Sequence, residues 1–160
     1  MFSNEGVEFI VSTNPREPLK PITKIASTGE ISRFNLALKG ALSEVDNMPV
    51  LIFDEIDIGV SGRSGEIIGK KLWALAQNRQ VICATHLPQI AAFADARYNV
   101  HKHESGARTV SMLQTLEGES RTKEIAVILA GPQYSEVFLS DALAVIQKAQ
   151  AWKQAHRKAS

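Results

Sequence analysis

Residues 50–55 of this chain read Val-Leu-Ile-Phe-Asp-Glu, so four apolar residues run without a break and end on two carboxylates, Asp54 and Glu55. A continuous apolar run of this length is typical of a strand buried on both faces, as in parallel sheets. Ligands of such sheets bind just beyond the carboxyl ends of the strands. Carboxylates there cost free energy unless a metal ion, an activated water or a cation compensates them. The stretch therefore predicts a chemical site at a strand end.

A second apolar strand is predicted at residues 81–85, Val-Ile-Cys-Ala-Thr, and it ends on His86. The carboxyl ends of parallel strands meet at one edge of a sheet, so we expect His86 to lie at the same edge as Asp54 and Glu55. This combination suggests nucleotide phosphate chemistry. At such an edge an Asp can hold magnesium, a Glu can act as general base on a water, and a neutral imidazole can touch a phosphate or orient that water. The alternative is two solvated carboxylates and a structural histidine.

The composition indicates one globular domain spanning residues 1–160, with 44% hydrophobic and 22% charged residues. A formal net charge of +1 does not by itself indicate a nucleic-acid or membrane partner. The first residues do not form a signal peptide, and no apolar run is long enough to span a bilayer. We therefore expect a cytoplasmic protein. Cys83 is the single cysteine, so it is expected to be a buried small hydrophobic residue.

Strands and helices alternate along the chain, which predicts an α/β fold with a mostly parallel sheet flanked by helices. A strand is expected at residues 7–11, a turn or loop at residues 14–18, and two more strands around a turn at residues 104–106. A short helix is predicted to end at Gly131 and Pro132. Helical spacing predicts three helices, with apolar stripes at Ile31, Phe34, Leu38 and Leu42; at Ile68, Leu72 and Leu75; and at Phe138, Ala142, Val145, Ala149 and Trp152.

Residues 27–30, Ser-Thr-Gly-Glu, have two compatible interpretations. Ser-x-x-Glu predicts a capping box, in which Ser27 accepts from the Glu30 amide and Glu30 reaches back. The same glycine-containing helix start is also a potential anion site, because its N–H groups are free. A phosphate-binding loop of the Gly-x-x-x-x-Gly-Lys-Ser/Thr type is absent from the sequence. The nearest stretch, residues 65–71, is predicted to be one face of a helix.

Three ordered stretches together resemble the RecN family of DNA repair proteins. Residues 27–39 resemble the signature motif of ABC-type ATPases, residues 53–63 resemble a Walker B strand with its D-loop, and residues 84–91 resemble a switch-histidine segment. The resemblance implies the C-terminal lobe of an ABC/SMC-type P-loop ATPase head that lacks the Walker A lobe. It also implies that ATP and Mg²⁺ are the cofactors.

The resemblance implies a role for each matching residue. Asp54 would hold Mg²⁺, Glu55 would be the general base, and His86 would contact the γ-phosphate. The nucleotide-binding residues at the interface between two heads would be Ser27, Gly29, Glu30, Asp57 and Gly59.

The implied partners are the missing N-terminal lobe and coiled coil, a second head in an ATP-dependent dimer, and DNA, with no membrane contact. The implied place is the bacterial cytoplasm, in association with the nucleoid, and the implied process is recombinational repair of double-strand breaks.

Thr28 departs from the family, which usually has glycine there, and a β-branched residue resists positive φ. An alternative function is therefore a non-enzymatic dimerisation or DNA-tethering module. A phosphohydrolase acting alone is disfavoured, because the chain offers no further Asp or His ligands at this edge.

We predict that the isolated chain does not turn over ATP, because it has no phosphate-binding loop. The measurement is phosphate release by purified residues 1–160 with ATP and Mg²⁺. Steady turnover that disappears in Glu55→Gln would contradict the prediction.

Overall fold

The computed structural model describes residues 7–12, 16–105 and 108–157. Within these residues, helices and strands alternate between residues 28 and 105. The strands are β1 (Ile10–Val11), β2 (Lys20–Pro21), β3 (Val50–Phe53), β4 (Gln80–Cys83), β5 (Tyr98–Ser105) and β6 (Arg108–Thr115). The helices are α1 (Ile22–Ile25), α2 (Thr28–Ala41), α3 (Gly62–Leu75), α4 (Pro88–Ala91), α5 (Gly118–Ala130) and α6 (Glu136–His156). The predicted α/β class is confirmed.

The parallel sheet consists of β3 and β4 within the described residues. Val50 pairs with Gln80 and Phe53 pairs with Cys83, so the two strands end at the same level. The pairing continues past β4, where the Ala84 amide donates to the Phe53 carbonyl at 3.0 Å. The residues that follow β3 and β4 therefore lie at the same edge of the sheet, as predicted.

The prediction that β3 is buried on both faces is wrong. Leu51 and Phe53 are buried, whereas Val50 is 40% exposed and Ile52 is 72% exposed. Alternate strand residues point to opposite faces, and the described helices cover the face that carries Leu51 and Phe53. The sequence could not reveal which face is exposed, because in an unbroken apolar run the residues of both strand faces are apolar.

The core behind β3 is built by α2, α3 and α4. The α3 stripe was predicted correctly, since Ile68, Leu72 and Leu75 are all buried. The α2 stripe is partly as predicted, because three of its four residues lie in the helix and are half-buried, whereas Leu42 lies beyond the helix and is 42% exposed. The side chain that α2 buries fully in this core is Leu36, which the predicted stripe omitted.

A second apolar cluster joins α3 to the last two helices. Trp73 of α3 and Phe93 pack there with residues of α5 and α6. The α6 stripe is partly as predicted, because Ala142 and Ala149 are buried. Ile146 is buried as well, although the predicted stripe omitted it. The predicted stop of α5 is confirmed by Gly131, whose φ of 85° places it in the left-handed region.

Two antiparallel ribbons complete the described structure. β1 pairs with β2 over two residues, so the strand predicted at residues 7–11 is shorter than expected. β5 pairs with β6 from Tyr98 and Thr115 to Ser105 and Arg108. Part of the predicted turn, Gly106, lies outside the described residues, as do Asn14 and Pro15 of a predicted loop. In the described part of the chain, no helix is long and apolar enough to cross a membrane.

Two glycines let α3 approach α4 closely. A Cβ on Gly65 would lie 3.2 Å from Leu87 Cδ1, and one on Gly69 would lie 2.6 Å from Phe93 Cδ2 and 3.1 Å from the Gln89 carbonyl. These two glycines belong to the stretch that is nearest in sequence to a phosphate-binding loop. They lie in α3 and allow close helix packing, so the prediction that this stretch is one face of a helix is confirmed.

Gly69→Ala should lower the free energy of unfolding by about 1 to 2 kcal/mol, because overpacking outweighs the gain in helix propensity. Gly40→Ala is the matched control: Gly40 is exposed in α2 and a Cβ there meets nothing within 4 Å. That control should raise the free energy of unfolding by about 0.5 to 1 kcal/mol. The measurement is urea unfolding of the three chains, and equal gains from both substitutions would contradict the packing role of Gly69.

Candidate functional site

Asp54 and Glu55 directly follow β3, at the edge where β4 ends. Both side chains are exposed. Oδ1 of Asp54 accepts a hydrogen bond from the Glu55 amide at 2.9 Å. Among the hydrogen bonds of the described residues, Oδ2 of Asp54 accepts none, and the Glu55 carboxylate accepts none. Both groups are thus exposed at the strand end where the sequence predicts a ligand.

The backbone of Glu55 adopts an uncommon conformation. Its φ is +56°, and it is the one non-glycine residue with positive φ in the described part of the chain. A non-glycine residue in this region costs of order 1 kcal/mol, and such residues cluster at functional sites. The strain therefore marks the position at which the sequence predicts the general base.

Asp57 lies in the loop after β3 and points inward, with 3% of its surface exposed. Its Oδ2 accepts from the Thr85 hydroxyl at 2.6 Å and from the His86 amide at 2.8 Å. The His86 ring Nδ1 lies 3.3 Å from the same oxygen. Asp57 therefore ties the loop after β3 to the loop after β4. This contact joins two segments that the sequence analysis treated as separate motifs.

The charge of Asp57 is maintained by these donors. Burial alone would raise the pKa of Asp57, but the hydrogen bonds from Thr85 and the His86 amide, with the nearby His86 ring, hold its pKa below the usual value. The net shift has the opposite sign for Cys83, which is half-buried: burial raises the pKa of its thiol to about 12, and the nearby Asp57 and Asp54 add to the effect. The expectation of a small apolar cysteine thus holds in part, and the thiol stays protonated at neutral pH.

His86 itself projects outward. Its side chain is 74% exposed, although its Nδ1 faces Asp57. The ring is therefore held on one side and free on the other. Such a ring can reach a phosphate or a water at the sheet edge.

The start of α2 carries the predicted capping box. The Ser27 hydroxyl accepts from the Glu30 amide at 3.4 Å, and the Ser27 amide donates to Glu30 Oε2 at 2.8 Å. The Ser27 hydroxyl also lies 2.9 Å from this carboxylate oxygen. Hydrogen bonds from Ser27 lower the pKa of Glu30. Ser27 and Glu30 are nevertheless exposed, so the capping interpretation is confirmed and the helix start remains open to solvent.

The same helix is anchored to the loop that contains Asp54 and Asp57. The Ser32 hydroxyl donates to the Asp54 carbonyl at 2.7 Å. Nη1 of Arg33 donates to the carbonyls of Ile56 at 3.1 Å and Ile58 at 2.8 Å. These contacts bring the signature-like segment and the Asp-Glu loop together into one unit.

Gly29 allows this close approach. It is buried, and a Cβ at this position would lie 3.0 Å from both the Ile58 carbonyl and Arg33 Nη1. Sequence reasoning missed Ser32 and Arg33 as site residues. A signal was present, because Arg33 stands four residues after Gly29 and so shares its helix face.

Thr28 is the first residue of α2, and its side chain is exposed. Its φ is not positive, since Glu55 is the one such non-glycine residue in the described ranges. The expected conflict between a β-branched side chain and a left-handed backbone is therefore absent. Gly59, in the loop before α3, does have a positive φ, of 71°.

The side chains at this edge fit a Mg²⁺ ion that is bound through a single carboxylate. Within the described residues, no group of three or more His, Cys, Asp or Glu side chains could hold a metal. Mg²⁺ commonly keeps several waters and binds through one or two carboxylates together with substrate phosphates. Asp54 can supply such a carboxylate, whereas Asp57 is occupied by its internal donors.

Comparison with solved structures defines the class of fold. The chain superposes with a TM-score of 0.51 on a structure from work on the "ATP-driven dimerization and DNA stimulated activation of SMC ATPases". The match covers 81% of this chain and 78% of that chain, at 22% identity, so the fold is that of an SMC ATPase head. No protein-family model matches the chain.

Sequence relatives of the chain include RecN proteins. The DNA repair protein RecN of Treponema pallidum is 46% identical over 138 residues, which is 86% of this chain. RecN of Halalkalibacterium halodurans is 41% identical over 95% of the chain, and RecN of Bacillus subtilis is 38% identical over 89%. The chain is thus similar over most of its length to one segment of RecN proteins, as the three motifs predicted. It spans about a quarter of the length of these relatives, since the matches cover 24%, 27% and 25% of them.

Glu55→Gly should raise the free energy of unfolding relative to Glu55→Ala by about 1 kcal/mol. Glycine adopts positive φ without strain, whereas alanine keeps the strain and loses the side chain. This order is the reverse of that expected in an ordinary helix or strand. Thermal and urea unfolding of the two variants measure it. A more stable Glu55→Ala chain would show that the loop relaxes to an ordinary backbone.

Proposed function

We propose that this chain supplies the signature, Walker B and switch-histidine elements of a RecN-type ATPase head that acts in DNA repair. The observation that carries the proposal is the sheet edge at which Asp54, Glu55 and His86 follow two paired parallel strands. Similarity to RecN proteins supports the role in repair, and the SMC-type fold supports the assignment to an ATPase head.

Each residue at the edge has a distinct task in the proposed reaction. Asp54 would hold Mg²⁺, directly or through water, with the carboxylate oxygen that accepts no hydrogen bond among the described residues. Bound Mg²⁺ offsets negative charge on the ATP phosphates. Glu55 accepts the proton of the attacking water, which its exposed carboxylate can reach from the strained loop. His86 contacts the γ-phosphate with the side of its ring that faces away from Asp57.

A partner lobe is supported by the uncovered face of the small parallel sheet. Val50, Ile52 and Ile82 are exposed on β3 and β4, although apolar strand residues of this kind are usually covered. The proposal assigns this face to the N-terminal lobe, which would also bring the phosphate-binding loop and the coiled coil. The short length of the chain relative to its RecN relatives agrees with such a missing part.

The open start of α2 supports a contact with ATP bound to a second head. Ser27, Glu30 and Thr28 are exposed there, and the free N–H groups of a helix start attract phosphate. Gly29 is buried against Ile58, so its contribution includes holding α2 close to the Asp-Glu loop. Asp57 and Gly59 lie in that loop. Head pairing through α2 and the loop is therefore part of the proposal.

The proposed setting follows from the family. The relatives are named DNA repair proteins, and the neighbouring fold comes from work on DNA-stimulated SMC ATPases. We infer that the complete protein acts on DNA during recombinational repair of double-strand breaks, in the bacterial cytoplasm at the nucleoid. The alternative of a tethering module without turnover loses support, because Thr28 has no positive φ.

Glu55→Gln tests the proposed base in a completed head. That head is made by joining this chain to the remaining part of the Treponema pallidum relative. Glutamine preserves the shape of the side chain but cannot accept the proton, so hydrolysis should fall by about 100-fold or more while ATP binding is kept. Phosphate release and ATP binding are measured on the same preparations.

The control is Glu44→Gln, which removes the same charge from an exposed residue of the loop after α2. It should leave hydrolysis unchanged. Hydrolysis that persists in Glu55→Gln would remove Glu55 as the base. A folded wild-type head that binds ATP without hydrolysing it would contradict the ATPase proposal as a whole.

A further inference from the structure

The buried carboxylate of Asp57 has a geometry that its expected role as a nucleotide contact does not explain. Its Oδ2 receives the Thr85 hydroxyl and the His86 amide, and His86 Nδ1 lies 3.3 Å away. Only 3% of the surface of Asp57 is exposed, so its carboxylate has almost no surface left to contact a ligand. The carboxylate therefore faces the switch-histidine segment and not the solvent.

A buried carboxylate stays ionised only when hydrogen-bond donors or positive charges lie next to it. An unpaired buried carboxylate is strongly disfavoured, and hydrogen bonds to an ionised acceptor are about twice as strong as neutral ones. Here the donors come from a segment 28 and 29 residues further along the chain. The Thr85 hydroxyl also accepts from the Leu87 amide at 3.1 Å, so the segment is braced on both sides of His86.

The ring contact has a chemical consequence for His86. A carboxylate oxygen 3.3 Å from Nδ1 favours the tautomer with its proton on Nδ1, because the positive end of that N–H then lies next to the negative charge of Asp57. Nε2 is the other ring nitrogen of a side chain that is 74% exposed. It is left as an acceptor for a water in the neutral ring, and as a donor to phosphate in the protonated ring.

We infer that Asp57 is a positioning residue that holds the backbone and the ring tautomer of His86, and that it does not bind the nucleotide itself. The consequence for hydrolysis rests on the proposed function. The contact between Asp57 and His86 can be tested without it. The loop after β3 thereby carries the proposed metal ligand, the proposed base and the residue that orients the histidine.

The first experiment uses the 160-residue chain itself. Imidazole nitrogen resonances are recorded by NMR for the wild type and for Asp57→Asn, with His86→Gln to assign the signal. Asparagine can keep one acceptor oxygen near Thr85 and the His86 amide but lacks the charge. We expect His86 to lose its preference for the Nδ1–H tautomer, while His101 and His103, exposed on β5, keep their resonances as internal controls.

A second pair of variants covers the case in which Asp57→Asn does not fold. Thr85→Val removes the hydroxyl that holds Oδ2 at nearly constant volume, and Thr85→Ser keeps it. We expect the His86 resonances to change in Thr85→Val and to stay near wild type in Thr85→Ser. Identical His86 resonances in both variants, or an unchanged tautomer in a folded Asp57→Asn chain, would overturn the inference.

The completed head then tests the consequence for hydrolysis. Asp57→Asn should lower kcat by about tenfold or more, the size usual for a residue that orients a functional histidine, with the KM for ATP little changed. A residue that binds the nucleotide would instead raise KM. An unchanged kcat for Asp57→Asn in a head that Glu55→Gln inactivates would overturn the inference alone. An inactive wild-type head would contradict the proposed function, and the NMR result would still decide the role of Asp57.

Discussion

The parallel pairing of β3 with β4 is the interaction on which the site depends. Four residue pairs bring the ends of the two strands to one level, so that residues 30 positions apart in sequence share an edge. The crossover between them is α3, and it can lie close to α4 because Gly65 and Gly69 have no side chains. A change in register of one residue would exchange the faces of β4 and move His86 away from the Asp-Glu loop.

The loop after β3 is the point at which the other elements meet. From one side, Ser32 and Arg33 of α2 donate to its carbonyls, and Gly29 allows the helix to come that close. From the other side, Thr85 and the His86 amide donate to Asp57. The strained backbone of Glu55 is held between these two sets of contacts. A shift of α2 would therefore move this loop, which connects the surface proposed to meet a second head with the residues of the proposed reaction.

The burial pattern also agrees with the proposal that this chain is one lobe of a larger ATPase head. One face of the small sheet is packed by helices, whereas Val50 and Ile52 on the other face remain exposed. The RecN relatives are about four times as long as the segment they share with this chain. An apolar strand face of this kind is stable when covered, so the sequence of β3 is better suited to the complete head than to the isolated chain.

The amino-acid sequence by itself determined the features that depend on near neighbours. The capping box of Ser27 and Glu30, the stop at Gly131, the α3 stripe and the two strands that precede Asp54 and His86 all follow from short-range patterns, and the structure has them. Three motifs in order also predicted the similarity to RecN proteins that the sequence relatives confirm.

Only the tertiary structure decided which faces of these elements are buried and which distant groups meet. It turned Leu36 of α2 toward β3, left Ile52 exposed, gave Glu55 a positive φ, and directed Asp57 to His86. The physical reason is that these features depend on contacts between residues in different elements of the chain, such as Leu36 with the β3 side chains and Asp57 with His86. Local propensity and periodicity carry no information on such contacts, and the free energy of burying a carboxylate or a leucine is settled by the partners that the fold supplies.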